Sequence, residues 1–543
     1  MTAPHRVLIA DKMSSRAAEI LAASPAIEVD VRAGLTAGDL EAVIADYDAL
    51  LVRSRTQVTA AVIEAGTRLK LVGRAGIGVD NIDIPAASRR GIIVENAPSG
   101  NSVTTAEHAL CLLMSLARNI PQATASLKAG KWEKSKLSGH ELFEKTLGVV
   151  GLGNIGRIVA DRARGLGMKI VGYDPYIGRE AAARLGIELA TLDELFARAD
   201  FITVHTPLTD ETRGLLGADA FAKVKPGVLV VNAARGGIVD EDALLAALES
   251  GKVGGAALDV FSSEPPPEGH PLIAHPAVIC TPHLGASTGE AQDKVAAEIA
   301  EQVVAFFTRN EIINALNIAP VAADLGPQLA PWLDLSKRLG SLIAQLARGG
   351  FDSDRNFIDE LSVEIIGEPG QLGATACTNA ALVGLLQIFL EGPVNEVNAP
   401  LIAEDRSLSV TEVKRKKDRD LASAIAVTAR FGDTVHVVKG SLYHVADRVE
   451  PRVLQVDDFV VEATPRGHIL AVLNEDRPGV IGRVGTLLGE REINVSSLHV
   501  GQDRKGRGTA LALWCLGDEA IPADLVDAVR AAAMVSRAHV ISL

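Results

Sequence analysis

At 543 residues the chain has room for three or four domains with well-filled cores. Its net charge of -14 excludes a general affinity for nucleic acid or anionic membrane, while leaving room for a local basic pocket that takes a small anion. Hydrophobic residues are 48% of the chain but aromatics only 3%, so cores of Ala, Val, Leu and Ile are expected, as in parallel sheets covered by Ala-rich helices.

Short apolar runs at 7–10, 27–31, 49–52, 69–73 and 92–94 alternate with helical patterns at 16–23 and 39–45, which predicts a doubly wound α/β unit over 1–98. Two of its strands lead into the loops RSRT (53–56) and RAGIGVD (74–80), and loops after strands face the ligand crevice of such a sheet. Arg53, Arg55 and Arg74 beside a glycine-rich backbone predict an anion cradle. Asn101 or Ser102 is the expected N-cap of a helix over 103–118, on which His108 reads as a packing residue. In the polar stretch 122–144 that follows, KWEK (131–134) reads as a surface helix or as an arm onto a second subunit.

Residues 147–174, LGVVGLGNIGRIVADRARGLGMKIVGYD, read as strand, tight turn, helix and strand in one βαβ unit. Its turn carries the glycine fingerprint Gly151, Gly153 and Gly156: one for the sharp turn, one for close approach of a pyrophosphate, one for helix against strand. Asp174 stands where a carboxylate accepts from the adenosine ribose, which favours NAD over NADP; Arg179, five residues on, points the other way. Later strands at 201–204, 228–231, 255–258 and 278–280 end on Thr206, Arg235, Asp259 and His283, along one edge of the same sheet. A helix over 287–308 is expected to return to the first unit. The expected domains are therefore 1–98 with 288–316 for substrate, discontinuous in sequence, and a Rossmann NAD-binding domain over 99–287.

Residues 317–460 form a third, α+β region, with helices at 329–347 and 378–389 and strands at 362–366 and 434–438. Its basic run VKRKKDRD (413–420) reads first as a solvated face and second as an anion-binding effector site. Residues 467–543 read β-α-β-β-α-β, the ferredoxin-like order, with a first turn at 474–479 feeding a helix N-terminus able to hold a carboxylate.

Oxidising a secondary alcohol with NAD needs a base for the hydroxyl proton and a cation for an adjacent carboxylate. Arg235 offers a planar bidentate cation and His283 a group poised for proton transfer. Glu264 in DVFSSEP can hold the second imidazole nitrogen, fixing the tautomer and favouring imidazolium. The residues alone leave open another 2-hydroxy acid, such as glyoxylate or hydroxypyruvate, and an NAD-sensing regulator on the same fold.

VVGLGNIG, VNAARGGIVDE, ALDVFSSEP and TPHLGAST resemble the signatures of the D-2-hydroxyacid dehydrogenase family. With RSRT, GRAGIGVDNID and a C-terminal part similar to the ACT amino-acid-binding module, the whole chain is similar to the family's long members with intervening and ACT domains. The resemblance implies oxidation of 3-phosphoglycerate to 3-phosphohydroxypyruvate by NAD, the first step of phosphorylated serine biosynthesis. It assigns Arg235, Glu264 and His283 to catalysis, and Asn154, Ile155, Asp174, Thr206, Ala233, Arg235, Asp259, His283 and Gly285 to NAD. Substrate phosphate and carboxylate fall to Arg53, Ser54, Arg74, Gly76 and Asn101, with Lys134 reaching a neighbouring subunit's site in a homodimer or homotetramer. Serine would bind at a paired ACT interface through Asn474, Asp476 and Asn494.

Cys111, Cys280, Cys377 and Cys515 lack metal or redox spacing, so no metal is expected and all four read as small buried hydrophobes in a reducing compartment. With no signal-peptide pattern and no uninterrupted apolar run near the ~20 residues of a membrane span, a cytoplasmic protein is expected.

Overall fold

Strands built from consecutive Val, Leu, Ile and Ala can only be buried on both faces, and the first two sheets use them that way. The computed structural model describes residues 3–319, 325–348, 358–418, 421–445, 448–517 and 521–543. The first sheet has five parallel strands, in the order Ile27–Val31, His5–Ile9, Ala49–Val52, Leu71–Arg74, Ile93–Asn96. The second has seven: Val278–Cys280, Val253–Leu258, Val228–Asn232, Phe201–Val204, Thr146–Val150, Lys169–Tyr173 and Glu188–Leu189. Its order reverses between Phe201–Val204 and Thr146–Val150, and the crevice beyond those strand ends is where such a sheet takes a dinucleotide.

The helix Ser102–Ala117 carries the chain from the first sheet to the second. Neither expected side chain caps it. Asn101 has φ -116° and ψ 2°, short of the extended conformation a side-chain cap needs, and Ser102 donates instead to the Pro98 carbonyl at 2.9 Å. The helix Gly289–Arg309 packs back on the first unit, against Ser15–Ala22 and the strand Leu71–Arg74. Gly73 permits this: a Cβ there would lie 2.8 Å from Ile299 Cγ1. Past that helix the chain runs along the sheet edge, where Leu316 N–H donates to the Val94 carbonyl and the Asn317 side chain accepts from Val94 N–H.

In the third region two long helices, Gly326–Arg348 and Glu368–Phe389, pack on each other and on a six-stranded sheet. Its order is Ser409–Arg415, Glu360–Ile366, Ala424–Phe431, Thr434–Val445, Arg448–Val456, Phe459–Ala463. Four of these strands, all but Glu360–Ile366 and Thr434–Val445, were not expected from sequence. Glu368–Phe389 is long and apolar enough by composition to cross a membrane, though polar residues such as Gln371, Thr378, Asn379 and Gln387 interrupt it and 56% of its most apolar window is buried in the core. Of the basic run, Lys414 and Arg415 pair with Glu412 and Glu364, while Arg419 and Asp420 lie outside the described residues. The region docks on the first unit through Asn395, whose Nδ2 donates to the Gly91 carbonyl at 2.7 Å, and through Val397, buried among first-unit core residues.

The C-terminal strands lie in the order Ser497–Gln502, Thr509–Gly517, His468–Glu475, Val535–Ser542, with the helices Val480–Gly489 and Ala523–Arg530, a ferredoxin-like unit. Arg507 and Lys505 on its hairpin pair with Asp458 of the third region at 2.9 and 3.0 Å. Cys377 and Cys515 are buried as expected, but Cys111 is exposed and Cys280 only partly covered. Cys111 lies on the outward face of its helix, near the exposed Met114.

Candidate active site

The glycine turn has the geometry its spacing predicts. Gly151 is left-handed at φ +91°, and a Cβ on Gly156 would sit 1.9 Å from the Gly151 carbonyl oxygen. Gly153 faces open space, and the helix Asn154–Gly165, whose first turn holds Ile155, has no side-chain cap. Its first N–H groups are thus free for a phosphate. Asp174 accepts from Leu152 N–H and Tyr176 N–H, both at 2.8 Å, which fixes its carboxylate beside that turn. Thr206 presents a buried hydroxyl with no partner among the described residues. An uncapped helix start, an open glycine, a fixed carboxylate and an orphan hydroxyl along one crevice fit a dinucleotide.

Ala233 and Arg235 follow the buried strand Val228–Asn232, and the Asn232 side chain pins that turn by donating to the Arg235 carbonyl at 2.9 Å. His283 sits in a left-handed turn at φ +53°, held by its N–H to the Asp259 carbonyl at 2.8 Å. Its Nδ1 meets Glu264 Oε2 at 2.6 Å, and Glu264 Oε1 accepts from Phe261 N–H, so the carboxylate is itself aimed. The free ring nitrogen is Nε2. A cavity of roughly 390 Å³, lined by Phe261, Glu264, Ile273, Thr281 and His283 among others, opens beside this pair.

Asp259, expected to meet the cofactor, also braces the loop that carries His283. It is buried and accepts from Leu284 N–H, Gly285 N–H and the Thr281 hydroxyl at 2.7, 2.9 and 2.6 Å, bracing the histidine loop. His108 Nε2 lies 3.1 Å from the same carboxylate. Burial opposes ionisation of Asp259, yet the hydrogen bonds from His108, Thr281 and Leu284 outweigh it and hold its pKa below the usual carboxylate range. His108 is therefore a buttress of the site.

On the first unit, Arg74 and Arg235 lie over one glycine loop: a Cβ on Gly76 would fall 2.0 Å from Arg74 Nη1, and one on Gly78 1.5 Å from Arg235 Nη2. The Arg74 Nε is buried without a partner among the described residues. Burial first, then the nearby Arg235, push Arg74 down to about 10, with Arg53 adding to the repulsion. Arg53, Arg74 and Arg235 thus converge. Arg55 points elsewhere and is exposed, because its loop is anchored by Asp11 through Arg53 N–H and Thr56. Ser54 is exposed, and Asn101 keeps a buried side-chain oxygen without a partner among the described residues. Lys134 lies on the exposed turn Lys134–Lys136 and makes no hydrogen bond to this group.

The structure does not bring the three expected effector residues together within one chain. Asn474 is buried at the end of the strand His468–Glu475, and Asp476 in the next turn accepts from Gln502 at 3.1 Å. Asn494 precedes Ser497, which is level with Ile469 through Cys515, so it lies at the opposite end of the sheet.

Three family descriptions match successive parts of the chain: the NAD binding domain of D-isomer specific 2-hydroxyacid dehydrogenases over 110–285, the D-3-phosphoglycerate dehydrogenase intervening domain over 328–457, and the ACT domain over 468–533. The D-3-phosphoglycerate dehydrogenase of Synechocystis is 41% identical, covering 99% of this chain and 95% of its own. That of Methanocaldococcus jannaschii is 40% identical, covering 99% and 100%. Among solved structures, the Thermus thermophilus protein TT0316 aligns with a TM-score of 0.53 at 34% identity, over 57% of this chain and 99% of its own. The NAD-dependent formate dehydrogenase of Staphylococcus aureus, solved with NAD, aligns at 0.51 and 29%, over 57% and 97%.

Proposed function

The chain belongs to the D-3-phosphoglycerate dehydrogenases of the D-2-hydroxyacid dehydrogenase family, NAD-dependent enzymes of the first step of phosphorylated serine biosynthesis, and we propose how its residues divide that work. The turn at Gly151, Gly153 and Gly156 with Asn154 and Ile155 holds the pyrophosphate of NAD, Asp174 the adenosine ribose, and Thr206, Ala233 and Gly285 the rest of its length. NAD, when bound, accepts the hydride that leaves the hydroxyl-bearing carbon. His283 takes the hydroxyl proton on Nε2, because Glu264 occupies Nδ1 and stabilises the imidazolium that forms. Arg235 holds the substrate carboxylate and polarises the oxygen that becomes a carbonyl. Arg74, with Arg53, Ser54, Gly76 and Asn101, holds the phosphate and the remaining polar groups.

The observation that carries this reading is that two guanidiniums, Arg74 with a buried Nε that has no partner among the described residues and Arg235, lie over one glycine loop, with Arg53 within electrostatic reach. Such a cluster is costly without a polyanion between its members. The test is NADH formation with 3-phosphoglycerate at alkaline pH, run beside an unphosphorylated 2-hydroxy acid. Arg74→Ala is expected to raise KM for the phosphorylated substrate far more than for the other; equal losses on both would remove the phosphate assignment.

Two finer readings belong with this. The exposed apolar residues Val103, Met114, Ile120, Leu127 and Trp132, on neighbouring helices and the turn after them, support a homodimer or homotetramer in which Lys134 reaches the partner's site. The ACT domain is a regulatory module, and L-serine is its proposed effector. With Asn474 and Asp476 at one end of the sheet and Asn494 at the other, a site using all three needs two copies. Four free cysteines support a cytoplasmic setting.

A further inference from the structure

Asp80 stands outside every role assigned so far. It lies in the loop after Leu71–Arg74, on the first unit, and its Oδ2 accepts from Arg235 Nε at 2.9 Å across the gap to the second. Among the described residues the other bond of that guanidinium is local, from Nη1 to the Ala234 carbonyl at 2.7 Å. The Asp80 loop is braced on both sides of the pair: Asn96 Nδ2 donates to the Ile77 carbonyl at 2.7 Å, and Asn81 Nδ2 to the Arg53 and Thr56 carbonyls at 2.8 and 2.6 Å. The Asp80 side chain is 61% exposed, and an ion pair that open contributes little to stability. What it does supply is direction. With Nε and Nη1 both engaged, the guanidinium plane is set, and Nη2 is left over the bare Gly78 backbone, where only glycine leaves space for it.

We infer that Asp80 is a positioning residue for the reaction: its carboxylate aims Arg235, from the opposite unit, so that the free guanidinium edge meets the substrate carboxylate. The inference rests on the reading of Arg235 given above. It makes the arginine of one unit competent only while the loop of the other faces it. Asp80 also counters the charge of Arg74, which lies within electrostatic reach of both.

The test compares Asp80→Asn, Asp80→Ala, Arg235→Ala and the double variant Asp80→Ala with Arg235→Ala in the full-length enzyme. Steady-state kinetics with 3-phosphoglycerate are read beside NADH binding by fluorescence and thermal melting. Loss of a charge-assisted hydrogen bond predicts that either Asp80 variant lowers kcat/KM for 3-phosphoglycerate by about tenfold or more. NADH affinity and melting temperature stay as in the wild type, and the double variant is no worse than Arg235→Ala alone. If Asp80→Asn lowers KM with kcat unchanged, Asp80 competes with the substrate carboxylate and the inference falls. Wild-type kinetics in the Asp80 variants beside an inactive Arg235→Ala overturn the inference while leaving the role of Arg235 standing. Full turnover in Arg235→Ala removes both.

Discussion

Arg74 is less basic than an ordinary guanidinium because burial, and then Arg235, disfavour its charge, so an anion placed beside it relieves a cost that the free chain bears. His283→Ala is expected to lower kcat by about two decades or more, in line with removal of a general base, with NADH affinity preserved. Stopped-flow and equilibrium binding separate these effects, and near-normal turnover would place the base elsewhere. Arg235 and His283 were legible in sequence because each follows a recognisable strand, and Glu264 because it lies in the DVFSSEP loop after another. Asp80 and the bracing role of His108 were not. Their partners lie 155 and 151 positions away, across the gap between the two units for Asp80 and at a strand end of the same unit for His108, and no local pattern encodes either contact.

Among elements, the strand Ile93–Asn96 carries an unusual core residue. Glu95 is fully buried, one oxygen accepts from Ile313 N–H at 3.0 Å and the other has no partner among the described residues. Burial raises it to about 7, against which the Ile313 hydrogen bond works. Because the folded pKa lies above the unfolded value, its contribution to stability is whole below the unfolded value of 4.5 and is lost as pH rises through about 7. Glu95→Gln is therefore expected to flatten the decline in melting temperature between acidic and mildly alkaline pH, as scanning calorimetry would show. The parallel strands of the first two sheets, save the two-residue edge strand Glu188–Leu189, and the ferredoxin-like unit were readable because apolar runs mark their elements. Most strands of the third region escaped, since runs such as 424–431 and 448–456 mix small, charged and β-branched residues without strict alternation. Their pairing rests on two long helices that cover one face of the sheet.

At the scale of the whole molecule, the apolar face on the second unit makes a prediction about mass. Leu127 is 60% and Trp132 82% exposed, an unfavourable display in an isolated chain. Leu127→Glu with Trp132→Glu is expected to shift the enzyme toward monomers, measured by sedimentation or light scattering, with each chain keeping NADH affinity. If Lys134 serves the partner's site, turnover falls with the dissociation.

Asn395 reaches the carbonyl of Gly91, where any side chain would collide with it, and Val397 is seated among core residues of the first sheet. Among the described residues the third region is thus keyed to the unit that carries Arg53 and Arg74, so a load placed on the C-terminal modules is expected to be felt first by the sheet behind those arginines.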